Sequence, residues 1–314
     1  MKKNIIYHDN FLNNTLPDKS VQLIIADPPY FEIKGDFDFI WNSFEDYLKE
    51  VEIWAIECKR LLANNGTLLW YGHAKKIAYT QIIFDKHLKI INNLVWNKGS
   101  FMGLEECKAL RSFAPCTERI LMYELNNDCK EGFEPTYIRN YFQKYLMEER
   151  KKANLSTKEI NLICGYSQNT RNKIINNEKN WIFITERSYN LLSAATDFFK
   201  KPYSDLRKEY EYLRRQFCNN FKLQEILNFS NESNKTGVNY VHETCKPETL
   251  TRALILTCSR LNDLVFVPFS GSGTEVAMAI KEGRNSIGFD VELKYVEMGN
   301  KRTNIIKSQP SLFF

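Results

Sequence analysis

The sequence holds only four histidines, scattered at positions 8, 73, 87 and 242, and its eight cysteines include no Cys-x-x-Cys pair. That scarcity argues against a zinc site, and no metal site is expected. The cysteines read as free thiols, mostly small core residues, in a reducing cytoplasm. No apolar run approaches the ~18 residues of a membrane span, and Met1-Lys-Lys-Asn4 is followed by no signal-peptide core. No membrane partner is therefore expected. There is no internal repeat and no low-complexity tract.

Charge of one sign is also scarce, since the net value is only +5. Its placement is uneven. Arg139 to Lys235 carries 18 Lys and Arg against 11 Asp and Glu, whereas the rest of the chain has 25 against 27. A polyanion bound by the middle third is one reading of that surplus, and a solvated basic face is the other. With 43% hydrophobic and 26% charged residues, the 314-residue chain suits one large domain with a smaller one inserted or appended.

What is present centres on Val21-Gln-Leu-Ile-Ile-Ala-Asp27-Pro28-Pro29-Tyr30. The apolar run predicts a strand buried on both faces of a parallel sheet. The two prolines stop it in a stiff, extended loop at the carboxyl end, the edge where open α/β sheets bind ligands. Such a loop suits chemistry on the exocyclic amine of a nucleobase, whose lone pair is delocalised into the ring. Asp27 and the Pro28 carbonyl can each accept one N–H, freeing the lone pair, while Tyr30 offers a face for a base turned out of a duplex.

Around it, Ile5 to Tyr7 predicts a strand and Phe31 to Phe44 an irregular, aromatic wall. A helix from Phe44 to Ala63 ended by Asn65-Gly66 follows, then a strand over Gly66–Tyr71, a helix over Ala74–Phe84 and strands over Ile90–Asn97 and Arg119–Glu124. This alternation argues for a parallel α/β sheet. From about Cys129 the sequence turns helical and rich in Lys, Arg and Asn. Within it, Leu155 to Cys164 predicts a helix capped by Ser156 or Thr157. Gly165-Tyr166 turns the chain into a second helix bearing Gln168, Asn169, Arg171, Asn172 and Lys173. That pair suits a helix-turn-helix reading base edges in the major groove, with a hairpin bearing a solvated polar face as the alternative. Tyr203 to Phe217 predicts an exposed, charged helix. Asn228 to Asn239 is polar and turn-forming.

Beyond it, a helix over Glu248–Ser259 precedes the strand Asp263–Val267, the turn Pro268-Phe269-Ser270-Gly271-Ser272-Gly273-Thr274, a helix, and the strand Ser286–Asp290. Glycines in such a turn let a ligand approach the backbone, and the helix start presents free N–H groups. Asp290 is placed to accept from ribose hydroxyls, although alone it could be a helix N-cap.

Asp27-Pro28-Pro29-Tyr30 resembles the signature of amino-methylating DNA methyltransferases, and Phe269-Ser270-Gly271-Ser272-Gly273-Thr274 resembles their S-adenosylmethionine loop. His242 to Pro247 resembles the segment this family sets against the methionine end of the cofactor, with His242 equally readable as structural. Asp9 matches the family's acidic residue near the cofactor adenine. Thr117-Glu118-Arg119-Ile120 resembles its motif beside the target base. The order is that of the permuted, β-type members of the family. One departure stands out: Val267-Pro268-Phe269 replaces the usual Asp-Pro-Phe, removing a carboxylate near the methionine moiety.

The resemblance implies a doubly wound, mostly parallel α/β sheet with an inserted helical target-recognition domain. Residues 1–128 would form the catalytic half, 129–238 the recognition region and 239–314 the cofactor half. It implies methyl transfer from S-adenosylmethionine to N6 of adenine in duplex DNA by base flipping. Asp27, Pro28, Pro29 and Tyr30 would act on the base; Asp9, Lys246, Pro268 to Thr274 and Asp290 would hold the cofactor. Duplex DNA is the implied partner, a cognate restriction endonuclease a further one, and the protein a monomer or homodimer. Two rivals stand beside it. One is N4 methylation of cytosine, whose enzymes more often carry Ser in place of Asp27; the other is a DNA-binding protein that has lost catalysis.

Overall fold

The computed structural model describes residues 1–33, 38–99, 110–125, 135–167, 174, 181–230 and 246–308. The chain divides into two compact units, Met1–Asn126 with Arg215–Phe314, and Asn127–Arg214.

The first unit is built on an eight-stranded sheet. Its strands are β1 (Ile5–His8), β2 (Val21–Ala26), β3 (Leu62–His73), β4 (Leu88–Asn97), β5 (Thr117–Leu125), β6 (Ile226–Asn228), β7 (Leu264–Val267) and β8 (Asn285–Asp290), in the spatial order β1-β8-β7-β2-β3-β5-β4-β6. Every neighbouring pair is parallel except β3–β5 and β5–β4, so β5 alone is reversed. The sheet is thus mostly parallel, as expected, with one reversed strand. β4 and β5 follow one another with no helical crossover among the described residues between them, and antiparallel pairing needs none.

Alternation along the central strands sorts two cores. Ile24, Ala26, Leu68, Trp70 and Phe266 pack on one face under α1 (Phe44–Leu61) and α2 (Ile77–Phe84). Leu23, Ile25, Leu69, Tyr71, Val265 and Val267 fill the other. That face lies under α7 (Glu248–Cys258) and α8 (Thr274–Lys281), with α9 (Leu293–Ser308) beyond. Each fully buried Leu or Ile side chain contributes about 1.5–3 kcal/mol, so β2, covered on both faces, anchors the loop that follows it.

Ser43 caps α1 by accepting from the Asp46 amide, and Glu45 and Asp46 complement the positive helix start. The helix ends at Leu61 and passes directly into β3, not at Asn65-Gly66 as the sequence suggested. Gly66 lies inside β3, where an added Cβ would stand 2.7 Å from Leu62 Cδ1 and 3.0 Å from the Val21 carbonyl oxygen. The glycine serves a close approach, not a helix stop.

The second unit is helical: α3 (Thr136–Lys152), α4 (Thr157–Cys164), α5 (Glu186–Ala195) and α6 (Tyr203–Leu213) surround a core that includes Phe142, Leu146, Ile160, Trp181, Leu192 and Leu206. Ser156 and Glu159 form a reciprocal capping box on α4, and Gly165 ends it at φ 67°. α6 exposes its charged face, as expected, but buries Leu206 and Tyr210 on the other, Tyr210 stacked on Phe183 with ring centroids 4.1 Å apart. The helical region also ends earlier than expected. Arg215 to Asn228 belongs to the first unit, because Ile226–Asn228 pairs with Val95–Asn97 of β4. Gln168, Asn169, Arg171, Asn172 and Lys173 lie outside the described residues, so the second helix of the expected reader has no described structure.

Candidate functional site

A cavity of about 820 Å³ opens at the carboxyl ends of β2, β7 and β8, wholly within the first unit. Among its lining residues are Asp9, Asp27, Pro28, Pro29, Tyr30, Lys246, Pro268, Phe269, Ser270, Gly271, Ser272 and Asp290. The two motif loops, more than two hundred positions apart in sequence, share one space because β2 and β7 are hydrogen-bonded neighbours.

On the β2 side, both carboxylate oxygens of Asp27 are engaged. The Tyr30 hydroxyl donates to Oδ1 at 2.5 Å, and the Lys246 ammonium donates to Oδ2 at 2.6 Å. Lys246 is also 3.3 Å from Oε2 of Glu118 on β5, and Lys98 closes the chain of charges on Glu118 Oε1 at 2.8 Å. Burial works against a charge on Lys246, but Asp27 and Glu118 outweigh it and hold the ammonium protonated. Burial likewise opposes charge on Glu118, yet Lys246 and Lys98 keep its carboxyl below the usual range. The Tyr30 phenol is pushed well above its ordinary range, first by burial and then by Asp27, so it remains a donor. The loop is tied down further: the Tyr30 amide donates to Asp38, and Lys76 donates to the Phe31 carbonyl at 2.7 Å.

On the β7–β8 side, Gly271 sits at φ 46° and donates its amide to Asp290 Oδ2 at 2.8 Å. Asp290 also accepts from the Glu292 amide through Oδ1. Burial raises its carboxyl against those two hydrogen bonds. The Asp9 amide donates to the Asp290 carbonyl oxygen, since β1 pairs with β8, and this brings the two acidic residues to one rim. Phe269 meets Phe11 and Trp54 edge-on, with centroids 5.2 and 5.0 Å away. Gly273 and Thr274, by contrast, do not line the cavity. An added Cβ on Gly273 would come within 2.8 Å of Gly299 Cα, and the Thr274 hydroxyl accepts from Arg302; both pack against α9. Val267 is buried at the end of β7 and also stays out of the cavity wall.

The DNA methylase family pattern matches residues 21–301. The chain belongs to the DNA methylase family. Among its relatives is the Type II methyltransferase M.HinfI of Haemophilus influenzae, 28% identical across 99% of this chain and 73% of its own length. Another is the DNA adenine methyltransferase YhdJ of Escherichia coli, 25% identical across 96% of this chain and 83% of its own. The solved structure of the PvuII DNA methyltransferase, cytosine-N4-specific, shares the fold with a TM-score of 0.57 at 12% identity, over 96% of this chain and 89% of that one.

The site of this DNA methylase fits S-adenosylmethionine. Phe11, Pro268 and Phe269 form an apolar, aromatic wall, Asp9 and Asp290 supply acceptors at one rim, and the Gly271 turn gives close backbone access. Among the cavity residues that the sequence does not assign to the site, three bear on its charge. Glu118, noticed only as part of a motif, pairs with Lys246. Lys98 follows β4 with no motif around it. Glu275, the residue after Thr274, is 6% exposed and lines the same cavity. Lys246, expected on the cofactor, is paired with the Asp27 carboxylate. His242 and Thr244 lie outside the described residues.

Proposed function

We propose that this chain methylates N6 of adenine at a specific site in duplex DNA, using S-adenosylmethionine and a base flipped into the cavity. One observation carries the reading: Asp27, rigidly placed by Pro28 and Pro29, faces the same cavity as the Gly271 turn and Asp290. Bound there, S-adenosylmethionine supplies an electrophilic methyl group on a sulfonium.

The protein's part is to raise the nucleophilicity of the amine and hold it in line. Asp27 accepts one N–H of the adenine amine through lone pairs that Tyr30 and Lys246 leave available, and the Pro28 carbonyl accepts the other. Lys246 donates to Oδ2 of Asp27 and fixes the orientation of the carboxylate. Tyr30 lends its ring to the base while its hydroxyl braces Asp27. Asp9 and Asp290 take ribose hydroxyls and the adenine end, with Pro268, Phe269, Ser270, Gly271 and Ser272 along the cofactor. Gly273 and Thr274 support that loop from behind.

Asp27 favours adenine over cytosine, as does the relationship to the adenine methyltransferase YhdJ. The basic block holding Gln168, Asn169, Arg171, Asn172 and Lys173 is the proposed duplex reader. No helix among the described residues is long and apolar enough to cross a membrane. We place the enzyme in the cytoplasm, as a monomer or homodimer, with a cognate restriction endonuclease as its functional partner. The test is nucleoside analysis of duplex DNA incubated with the protein and S-adenosylmethionine. N6-methyladenine supports the reading; N4-methylcytosine, or no methylated base, overturns it.

A further inference from the structure

Glu275 opens the first turn of α8, directly behind the Gly271 turn, and its side chain reaches the shared cavity. It is 6% exposed, and its Oε1 has no hydrogen-bond partner among the described residues. A buried carboxylate oxygen left without a donor keeps its full desolvation penalty, so a structure retains one where a ligand completes it. Its charged and titratable neighbours are Asp27 at the end of β2, Lys246 before α7, Arg302 on α9 and Tyr71 on β3. None relieves it. Lys246 is engaged by Asp27 and Glu118, and Arg302 by Thr274 and Glu248. Burial first, and then Asp27, push the Glu275 carboxyl up to about 7, a shift that a bound cation would oppose.

Position decides which cation. Glu275 lines the same cavity as Gly271, Asp290 and Asp27, and Asp27 is near enough to raise its carboxyl. It lies against the same sheet face as Val267, the position from which the sequence has lost a carboxylate. We propose that Glu275 binds the α-ammonium group of the methionine moiety of S-adenosylmethionine, replacing from helix α8 the carboxylate absent at 267. This rests on the Gly271 turn being the S-adenosylmethionine site. An ammonium offers three N–H donors to the bare oxygen, whereas a sulfonium offers none.

The test is calorimetric binding of three ligands to the whole protein and to Glu275→Gln. S-adenosylmethionine and S-adenosylhomocysteine both carry the ammonium, but only the first carries the sulfonium charge; 5′-methylthioadenosine lacks both. The variant should bind the first two ~10- to 100-fold more weakly, by similar factors, and the third unchanged. Loss for S-adenosylmethionine alone overturns the proposal in favour of a sulfonium contact. Unchanged binding of all three, or equal loss of all three, overturns it as well. Should the variant fail to fold, the wild type suffices. At about pH 6.5, where an α-amino group is already protonated, binding should release a substantial fraction of a proton from Glu275. No release overturns the proposal. If wild type binds no S-adenosylmethionine at all, the reading of the loop fails with it.

Discussion

The ammonium of Lys246 lies 2.6 Å from Oδ2 of Asp27, although 219 positions separate the two residues. Its side chain is 4% exposed and that of Asp27 20%, so the pair is largely removed from solvent screening. The ion pair therefore joins residues from opposite halves of the sequence.

Asp27→Asn should retain cofactor binding and lose methyl transfer by about 10²–10⁴ in turnover, because the carboxylate acts chiefly in the transition state. The same change removes one of the carboxylates facing Lys246 and leaves Glu118, 3.3 Å away, as an ionic partner. A lower urea midpoint should accompany the lost activity, by less than the roughly 3–5 kcal/mol of a buried charge left wholly unpaired. A near-normal rate contradicts the assigned role.

Lys246→Met removes the cation that Asp27, Glu118 and Glu275 all face. Like charges left together favour protonation, so the carboxyls should titrate higher and the acid limb of kcat/KM should move up by about one to two pH units. Activity is then lost on the acidic side first. An unmoved acid limb means that the Glu118 carboxyl, which Lys246 helps hold below its usual range, does not set the acid side of the profile.

The Glu275 carboxyl, raised to about 7, makes the cofactor-free protein pH-sensitive. Its folded value exceeds that of a free glutamate, near ~4.3. Between those values the folded chain keeps a proton the unfolded chain has released, so stability falls as pH rises through the window and is level above it. Glu275→Gln abolishes that fall. Its stability advantage should be small at about pH 4.5, grow towards pH 7 and then stay flat, at of order 1–3 kcal/mol. Urea midpoints across that range, without cofactor, measure it; an advantage independent of pH speaks against a strained carboxyl.

Gly273→Ala should destabilise the first unit by roughly 1–3 kcal/mol or more, since φ is 74° and the added Cβ meets Gly299 Cα at 2.8 Å. Thermal unfolding should show the loss, with cofactor affinity falling only as a consequence of a displaced Gly271. Full stability in this variant would mean that α8 and α9 can move apart at little cost.

Local physics makes the two loops legible in the sequence itself. A buried apolar run stopped by Pro28-Pro29, and a strand followed by Gly271-Ser272-Gly273 and a helix, each define their geometry within about ten residues. Capping chemistry does the same for Ser156 and Gly165. The strand direction of β5, the entry of Ile226–Asn228 into the sheet and the burial of α6 are not legible there, because each depends on what lies opposite the segment. The charge network has still less signal. Lys98 and Glu275 have no motif around them, Glu118 and Lys246 only a family resemblance that does not pair them, and only the juxtaposition of β4, β5, α7 and α8 removes them from water around Asp27. Sequence determined where the chemistry begins, because backbone stiffness and strand burial are local. Tertiary structure decided which charges surround it, because desolvation and pairing belong to groups that meet only once the sheet has closed.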